Sequence, residues 1–561
     1  MKILLIYPYS LEYRAVEDDI EALPIGMYYV ASLLIENGFQ VELLNWYNVQ
    51  GAKQQIARAL KEKQPDIIGF SILNANRWGG IEIAKIAKKV LPNVKIIFGG
   101  VSPTFLWKHF LSHFKQIDYI VLGEGEYTVL EIARAIQQNN PERLARVKGL
   151  AFRDGKSIVC TGLPDLVKDL DSLPIPSKYF KYQHVCSSRG CIGRCTFCGS
   201  PRFWKRRIRF HSPQNFVTEL ELLYRRGVNF FFVSDDTFTV NRRRLIEICK
   251  EILRRKLRIN WFAISRCDCI DEEIVKWMRR AGCIQISFGV EHGSEKIRDL
   301  LNKNIKTSDI KKSFYLTQKY GIMARAYFIY GCPGENSETI QDTINIIQEI
   351  KPLSALFYVL EIFPGTKLYD DYCKRCNADD NVWMKKIEGV PYFETDPKLN
   401  EKMVFKFGQK LKQSFYKGLP MFAQGLKLAN DPEFYPLHAD FLSRLGMTFT
   451  HGYYAKIDAI PDKEQTAEFL FRQALSYHPD HRAFLGLGIL LQKKARHEDT
   501  IELLKKARDI YPQSEQIATC LGISLLNLGR VKEAEATMLP FANSPQVQQY
   551  LNACRQAARN M

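Results

Sequence analysis

The sequence predicts an α/β chain in three parts. These are a doubly wound parallel sheet over residues 1–140, a partial (β/α)6 barrel over 182–388 and an α-helical repeat domain over 446–561. Short apolar runs alternate with longer stretches of helical period in the first two parts, as in parallel strands joined by helical crossovers. In the third part a pattern of alanine, leucine-glycine and proline returns after 33–34 residues. Such a return marks one helical unit stacked on the next.

In the first part the apolar runs fall at residues 3–7, 41–44, 67–72, 94–98 and 119–122, with helical stretches such as 27–36 and 80–90 between them. Ligands of such sheets bind beyond the carboxyl ends of the strands. Those ends read Gly69-Phe70-Ser71, Gly99-Gly100-Val101-Ser102-Pro103 and Gly123-Glu124-Gly125-Glu126. Glycines there let backbone come close to a bulky ligand. Residues 141–181 follow as a connection, with a hairpin over 147–159 turning at Asp154-Gly155 and then the extended Leu173-Pro174-Ile175-Pro176.

The second part repeats the alternation. Its apolar runs lie at 230–233, 261–264, 284–288, 326–330 and 357–363, and its helical stretches at 215–226, 243–254, 271–281 and 308–320. Functional groups are expected at the strand ends. Residues 389–445 read as a helical connector. In the tail, Ala474-Leu475 and Pro479 are answered by Ala507 and Pro512, and Leu487-Gly488 by Leu521-Gly522, with Gly529 and Ala534 opening a further helix.

Cys191, Cys195 and Cys198 stand as Cys-x-x-x-Cys-x-x-Cys within eight residues. Three thiolates can take three corners of an iron–sulfur cube and leave the fourth iron without a protein ligand. An open metal position is where chemistry happens. Structural zinc is the competing reading, with Cys186 as a fourth ligand and His184 beside it, and ordinary core cysteines are another. Cys373 and Cys376, and Cys267, Cys269, Cys283 and Cys332, read as packing residues. His109 and His113, four apart on a helix, read as a polar face.

The triplet, with Phe197 just before its last cysteine, resembles the radical S-adenosylmethionine (SAM) superfamily. The resemblance implies a [4Fe-4S] cluster whose open iron is chelated by SAM. An electron from the cluster then cleaves the sulfonium to methionine and a 5′-deoxyadenosyl radical. It also implies roles for further pieces in family order. Phe197 would pack on adenine or shield the cluster, and Asp235 and Asp236 of Asp235-Asp236-Thr237-Phe238 would meet the methionyl portion. Arg266 would steer the carboxylate. Glu291, in Gly289-Val290-Glu291-His292-Gly293-Ser294, would bind ribose hydroxyls or the amino group, with His292 standing where the family has serine. Gly331, in Gly331-Cys332-Pro333-Gly334-Glu335, would lie beside adenine, and Phe363-Pro364-Gly365-Thr366 closes the series. Taken singly, the same residues could be helix caps, salt-bridge partners or plain turns.

The first part resembles the cobalamin-binding domain placed ahead of many radical SAM cores, through Ser71, Gly99-Gly100 and Gly123-Glu124-Gly125-Glu126. On that resemblance Ser71, Gly99, Gly100, Gly123 and Glu124 contact cobalamin. The family's Asp-x-His-x-x-Gly is absent, and the first histidine in the chain is His109. The lower face of the cobalt is then open or otherwise ligated. The tail resembles tetratricopeptide repeats, which implies docking of a protein or peptide partner, or a cap that stabilises the barrel.

The net charge is +18, and residues 201–260 carry half of it, with 15 Lys and Arg against 6 Asp and Glu. A basic face attracts nucleic acid, a phosphorylated substrate or an acidic redox partner such as flavodoxin or ferredoxin, unless it is merely a solvated surface. No apolar run approaches 18 residues, and the first residues read as a buried strand rather than a signal peptide, so a cytoplasmic location without a membrane span is expected.

The leading expectation is a cobalamin-dependent radical SAM enzyme that C-methylates an unactivated carbon of a small-molecule or peptide substrate. Alternatives are radical cyclisation, oxidation or rearrangement without methylation, a methylthiotransferase, and a repeat-based interaction protein with a degenerate core. A methylthiotransferase should carry three more clustered cysteines in the first part, whereas the first cysteine is Cys160. Methyl transfer needs cluster, SAM, substrate and cobalt in one water-poor cavity. The strand ends at residues 71–125 should therefore face the Cys191 loop.

Overall fold

The computed structural model describes residues 1–10 and 22–559. Its first sheet has seven strands: β1 (Lys2–Pro8), β2 (Gln40–Trp46), β3 (Ile67–Ser71), β4 (Lys95–Gly99), β5 (Tyr119–Val121), β6 (Leu150–Asp154) and β7 (Ser157–Cys160). Their spatial order is β2-β1-β3-β4-β5-β6-β7, and the first five are parallel. Alternate side chains of one strand serve two cores. Ile3, Leu5, Ile67 and Ile97 pack with α1 (Ile25–Glu36) and the last crossover helix, Glu126–Gln137. Leu4, Ile6, Ile68, Ile96 and Phe98 pack on the other side with α2 (Lys53–Lys63), α3 (Arg77–Val90) and α4 (Val101–His113). The Glu126–Gln137 helix is α5. Burial on both faces is why these strands read as continuous apolar runs.

The hairpin departs from expectation. It is no free connection: β6 pairs antiparallel with β5 and extends the first sheet. Its two-residue loop is Gly155-Lys156, one position later than read, with Gly155 at φ +56°. By covering β5, the hairpin moves the exposed edge away from the strand whose end carries Gly123-Glu124.

The second sheet has six parallel strands in the order β15-β14-β13-β12-β11-β8. They are β8 (His184–Val185), β11 (Phe230–Val233), β12 (Asn260–Ser265), β13 (Cys283–Glu291), β14 (Met323–Tyr330) and β15 (Ser354–Val359). Between β8 and β11 the short β9 (Ser188–Arg189) and β10 (Arg209–Phe210) pair antiparallel and flank the cysteine loop. Crossover helices start where the sequence supplies caps. Ser212, Asn241 and Asp271 each accept a backbone N–H three residues on, opening helices Pro213–Arg225, Arg242–Arg254 and Glu272–Arg280.

The apolar core of the α2–α4 side continues without a break through this sheet into the carboxyl-terminal helices. There, helices begin at Lys463, His497 and Val531, 34 residues apart each time, with a second set at His481 and Glu515 between them.

Candidate active site

The loop from Cys191 to Cys198 is tied down at its middle. The Thr196 amide donates to the Leu301 carbonyl at 2.9 Å, the Leu368 amide donates to the Thr196 carbonyl at 3.0 Å, and the Asn302 side chain donates to the Arg194 carbonyl at 2.9 Å. All three cysteines are half-buried. A Cβ on Gly193 would lie 3.2 Å from Cys191 Sγ, 3.8 Å from Cys195 Sγ and 3.8 Å from Arg266 Nη1. Glycine thus leaves open the space that two of the sulfurs and a guanidinium surround. Burial pushes the Cys198 thiol up to about 12, and the neighbouring sulfurs and Asp236 add to this; burial likewise raises Cys195. A coordinated metal reverses that balance and holds the thiolates. Among the described residues no three His, Cys, Asp or Glu side chains converge on one metal-ion position. A cluster does not need them to, because each thiolate takes its own iron. Cys186, the fourth ligand of the zinc reading, donates to the Ser188 carbonyl at 2.7 Å, and burial holds its thiol well above the usual range. His184 stacks on Phe232 with ring centres 4.5 Å apart.

Beside the loop stands a pair that the sequence did not reveal as one. Lys303 Nζ meets Glu291 Oε1 at 2.6 Å, with both side chains buried. Glu291 ends β13 at φ +64°, where the register with β14 shifts, and a Cβ on Gly289 would strike Glu291 Oε1 at 2.5 Å. A non-glycine residue held in this conformation is unusual and recurs at functional sites. Cys195 and Glu291 together hold the Lys303 ammonium above its ordinary value despite burial. Arg266 forms a two-pronged bond to Asp268 at 3.0 and 2.8 Å and reaches the Lys303 carbonyl. Phe197 is half-buried against the main core.

Two further residues expected at SAM, Asp235 and Gly331, are also bonded within the framework. Asp235 is buried, and its oxygens accept the Ser187 amide at 2.7 Å, the Ser187 hydroxyl at 2.6 Å and the Ser188 hydroxyl at 2.5 Å. These bonds fix the chain leading into the cysteine loop. Gly331 follows β14 at φ +77°, donates its amide to Glu335 Oε2 at 2.7 Å, and backs onto Val404. Glu335 also accepts from His292 at 3.1 Å, the His292 Nδ1 being engaged by the Ser294 amide. His292 in place of serine therefore locks one glycine loop to the other. Asp236 remains open, bonded to the Ser200 hydroxyl at 2.7 Å, and burial raises its carboxyl.

Between the two sheets lies an open cavity of about 380 Å³. Ser71, Gly99, Gly100, Gly123 and Glu124 line it from the first sheet, and Cys186, Ser188, Gly190, Ser234 and Asp236 from the second. The strand ends of residues 71–125 and the base of the Cys191 loop thus share one space. Gly100, at φ +107°, has the Ile72 carbonyl 2.7 Å from where a Cβ would stand. No histidine lines the cavity among the described residues. The open mouth and glycine-edged lining suit a broad, flat group such as a corrin.

Glu124 lines this cavity, and its carboxylate is saturated from the 141–181 connection and the second part of the chain. It accepts from Arg189 at 2.8 Å, Arg209 at 2.6 Å and the Val167 amide at 2.8 Å. The same Arg189 nitrogen lies 2.7 Å from Glu126, and its guanidinium sits 4.7 Å above the Tyr29 ring. Glu124 thus clamps the first sheet to the approach of the cysteine loop while standing in the cavity wall.

Part of the basic stretch is ion-paired. Arg242 pairs with Asp271 and Glu273, Arg243 with Glu247, Arg254 with Glu251, and Arg255 with Glu221 and Glu251. These pairs lie on the helix faces of Arg242–Arg254 and its carboxyl end. Among the described residues no helix is long and apolar enough to cross a membrane.

The radical SAM superfamily profile matches residues 185–347, and a B12 binding domain profile matches residues 18–133. An uncharacterized methyltransferase of Pyrococcus horikoshii is 30% identical over 382 residues, covering 66% of this chain and 83% of that protein. The anaerobic magnesium-protoporphyrin IX monomethyl ester cyclase of Cereibacter sphaeroides is 32% identical over 336 residues, 57% of this chain and 55% of the cyclase. In fold, the chain resembles the radical SAM methyltransferase TsrM of Kitasatospora setae, solved with cobalamin and a [4Fe-4S] cluster. The TM-score is 0.61 at 16% identity, over 85% of this chain and 99% of that one. The cobalamin-dependent radical enzyme OxsB, solved with aqua-cobalamin and SAM, gives a TM-score of 0.54 at 19% identity, over 100% of this chain and 84% of that one. Cysteine loop, shared cavity and both profiles agree: the chain belongs to the radical SAM superfamily, in the branch with a B12 binding domain ahead of the radical SAM domain, and is an enzyme whose cofactors are a [4Fe-4S] cluster, SAM and cobalamin.

Proposed function

We propose that this enzyme transfers a methyl group to an unactivated carbon of a small-molecule or peptide substrate. The observation that carries the reading is the single cavity into which both the glycine-rich strand ends and the base of the cysteine loop open. When bound, the cluster supplies the electron that makes SAM a radical source, and cobalamin carries the methyl group.

The chain's own residues have separable tasks. Cys191, Cys195 and Cys198 hold the cluster, and Gly193 leaves it room. Glu291 and Lys303 present one acceptor and one donor beside Cys195, suited to SAM's ammonium or ribose and its carboxylate, while Phe197 excludes water. Ser71, Gly99, Gly100 and Gly123 form the bed of the corrin. Asp236 places a carboxylate at the cavity wall, bonded to the Ser200 hydroxyl. The 34-residue spacing of the carboxyl-terminal helices supports tetratricopeptide-like stacking and a docking role for a protein partner, and the six-stranded second sheet supports a partial barrel.

Anaerobic reconstitution with iron, sulfide and hydroxocobalamin tests the reading. About four iron and one cobalt per chain are expected, followed by transfer of labelled methyl from SAM into product. Zinc in place of iron refutes it. The likeness to a cyclase favours ring formation as the second reading; 5′-deoxyadenosine release with the label absent from product would select that one.

A further inference from the structure

The second sheet has two unlike faces. Phe231, Trp261, Ile286, Ala324 and Phe328 are fully buried beneath the crossover helices. Their neighbours on the opposite face, among them Phe232, Phe262, Ile264, Tyr327 and Tyr358, are only half-buried. Parallel register sets these into rows. Phe232 lies beside Phe262, Arg325 beside Ser354 one row nearer the strand ends, and Tyr327 beside Leu356 one row further on. Phe232 and Phe262 meet edge to face at 5.5 Å, and Tyr327 and Tyr358 lie 6.2 Å apart. Ser234, two residues beyond Phe232 and bonded to His184, lines the cavity between the sheets. This face therefore borders the cofactor space at its Ser234 end.

Arg325 is the unusual group on it. Its Nε donates to the Ser354 hydroxyl at 3.0 Å, and among the described residues it has no ion-pair partner. Three buried or half-buried cations nearby each have a carboxylate: Arg189 has Glu124 and Glu126, Arg266 has Asp268, and Lys303 has Glu291. A half-buried guanidinium flanked in its row by Ser287 and Ser354, without a counter-charge, is unfavourable in the free enzyme and matched by an incoming anion. The rings offer flat apolar faces suited to an extended unsaturated body.

We propose that this face is the substrate pocket and that it takes an organic anion with a flat, unsaturated body, its carboxylate or phosphate held by Arg325. The inference rests on the radical SAM reading of the same site and names its substrate class.

Equilibrium binding to the reconstituted full-length enzyme tests it with three pyrene probes: 1-pyrenebutyrate, 4-(1-pyrenyl)butyl phosphate and 4-(1-pyrenyl)butanol. Both anions should bind about ten-fold or more tighter than the alcohol, as expected for a hydrogen-bonded charge pair. Arg325→Gln should erase that preference, Arg325→Lys should keep part of it, and Phe262→Ala should weaken all three probes alike. The stronger of the two anions separates a carboxylate from a phosphate substrate. Equal binding of anion and alcohol to the unaltered enzyme overturns the proposal, as does an anion preference that survives in R325Q while its iron and cobalt are retained. Binding needs no turnover. Missing 5′-deoxyadenosine release would count against the radical SAM reading alone, and missing anion preference against this pocket alone.

Discussion

Removing the Arg189 guanidinium should loosen the cofactor-bearing domains from each other. The side chains of Arg189, Glu124 and Glu126 are 8%, 3% and 4% exposed, so none of the three charges has water as a substitute partner. Breaking a buried pair by deleting one partner costs about 3–5 kcal/mol, because the survivor is left uncompensated. In Arg189→Ala, Glu124 keeps Arg209 and the Val167 amide, and Glu126 is the orphan. Glu126 stands in the first turn of α5, where the helix dipole returns up to about 2 kcal/mol in a buried setting. The net cost should fall near 3 kcal/mol, roughly a 150-fold gain in local opening. Hydrogen exchange of α5 and of the β9–β10 pair reads this directly, and cobalt retained after desalting gives a second measure. Adding Glu126→Gln to R189A should restore more than half of the loss, since it removes the stranded charge. Protection of α5 within about 1 kcal/mol of the parent, or a double variant no better than R189A, would refute the reasoning.

Three further outcomes are expected. Gly289→Ala puts a methyl 2.5 Å from Glu291 Oε1 and 2.7 Å from Lys303 Nζ, the far ends of two side chains. The fold and iron content should stand while SAM affinity by equilibrium dialysis drops about ten-fold, a loss of about 1.4 kcal/mol; unchanged affinity would remove the pair from SAM. Burial raises the Glu219 carboxyl to about 7, against bonds from Tyr182 and Tyr29 and the charge of Arg189 that lower it. Its folded pKa lies above the unfolded value, so its contribution is fully present below about pH 4.5 and is lost as pH rises through about 7. Urea titrations should find Glu219→Gln matching the parent at pH 5 and more stable by about 3 kcal/mol at pH 8, and equal stability at pH 8 would contradict the assignment. Finally, Cys198→Ala should abolish the cluster's absorption while cobalt stays, whereas Cys186→Ala should keep both, its thiol donating to the Ser188 carbonyl rather than binding metal. Iron lost on changing Cys186 would reopen the four-ligand reading.

Which parts of this molecule the sequence disclosed follows from the range of each interaction. Strands buried on both faces, such as β1 and β4, announce themselves as local apolar runs, and the crossover helices by their caps and period. The two-residue β8 carries no period at all and exists because Val233 and Phe232 offer it an edge. The hairpin was legible as a hairpin, but its pairing with β5 is a long-range choice that no local pattern encodes. Site chemistry divides in the same way. A cysteine triplet carries its own spacing, so the cluster loop was legible. Glu124 and Asp235 were visible only as carboxylates at strand ends, and what decides their roles are donors 65, 85 and 48 residues away. Lys303 had no signal at all, being an ordinary lysine in a loop until the fold sets it against Glu291.

The two motifs that look independent in sequence are physically joined. Gly123-Glu124-Gly125-Glu126 lines the corrin side of the cavity, and Ser188-Arg189-Gly190 leads into Cys191. Arg189, two residues before the first cysteine of the cluster loop, binds both glutamates of the glycine motif through one buried nitrogen. Asp235 holds that same approach through Ser187 and Ser188, and Arg244 braces it from behind through the Ser187 carbonyl at 2.7 Å. A radical made at the cluster must meet its partner within a fixed short distance, and a misplacement of about 1 Å can cost about 100-fold in rate. Buried ion pairs are poor sources of stability but good determinants of register. The clamp therefore makes most sense as the device that sets the spacing between the cluster loop and the corrin bed. Carboxylates occupy those strand ends because a charge, unlike an apolar contact, accepts one geometry and penalises the rest.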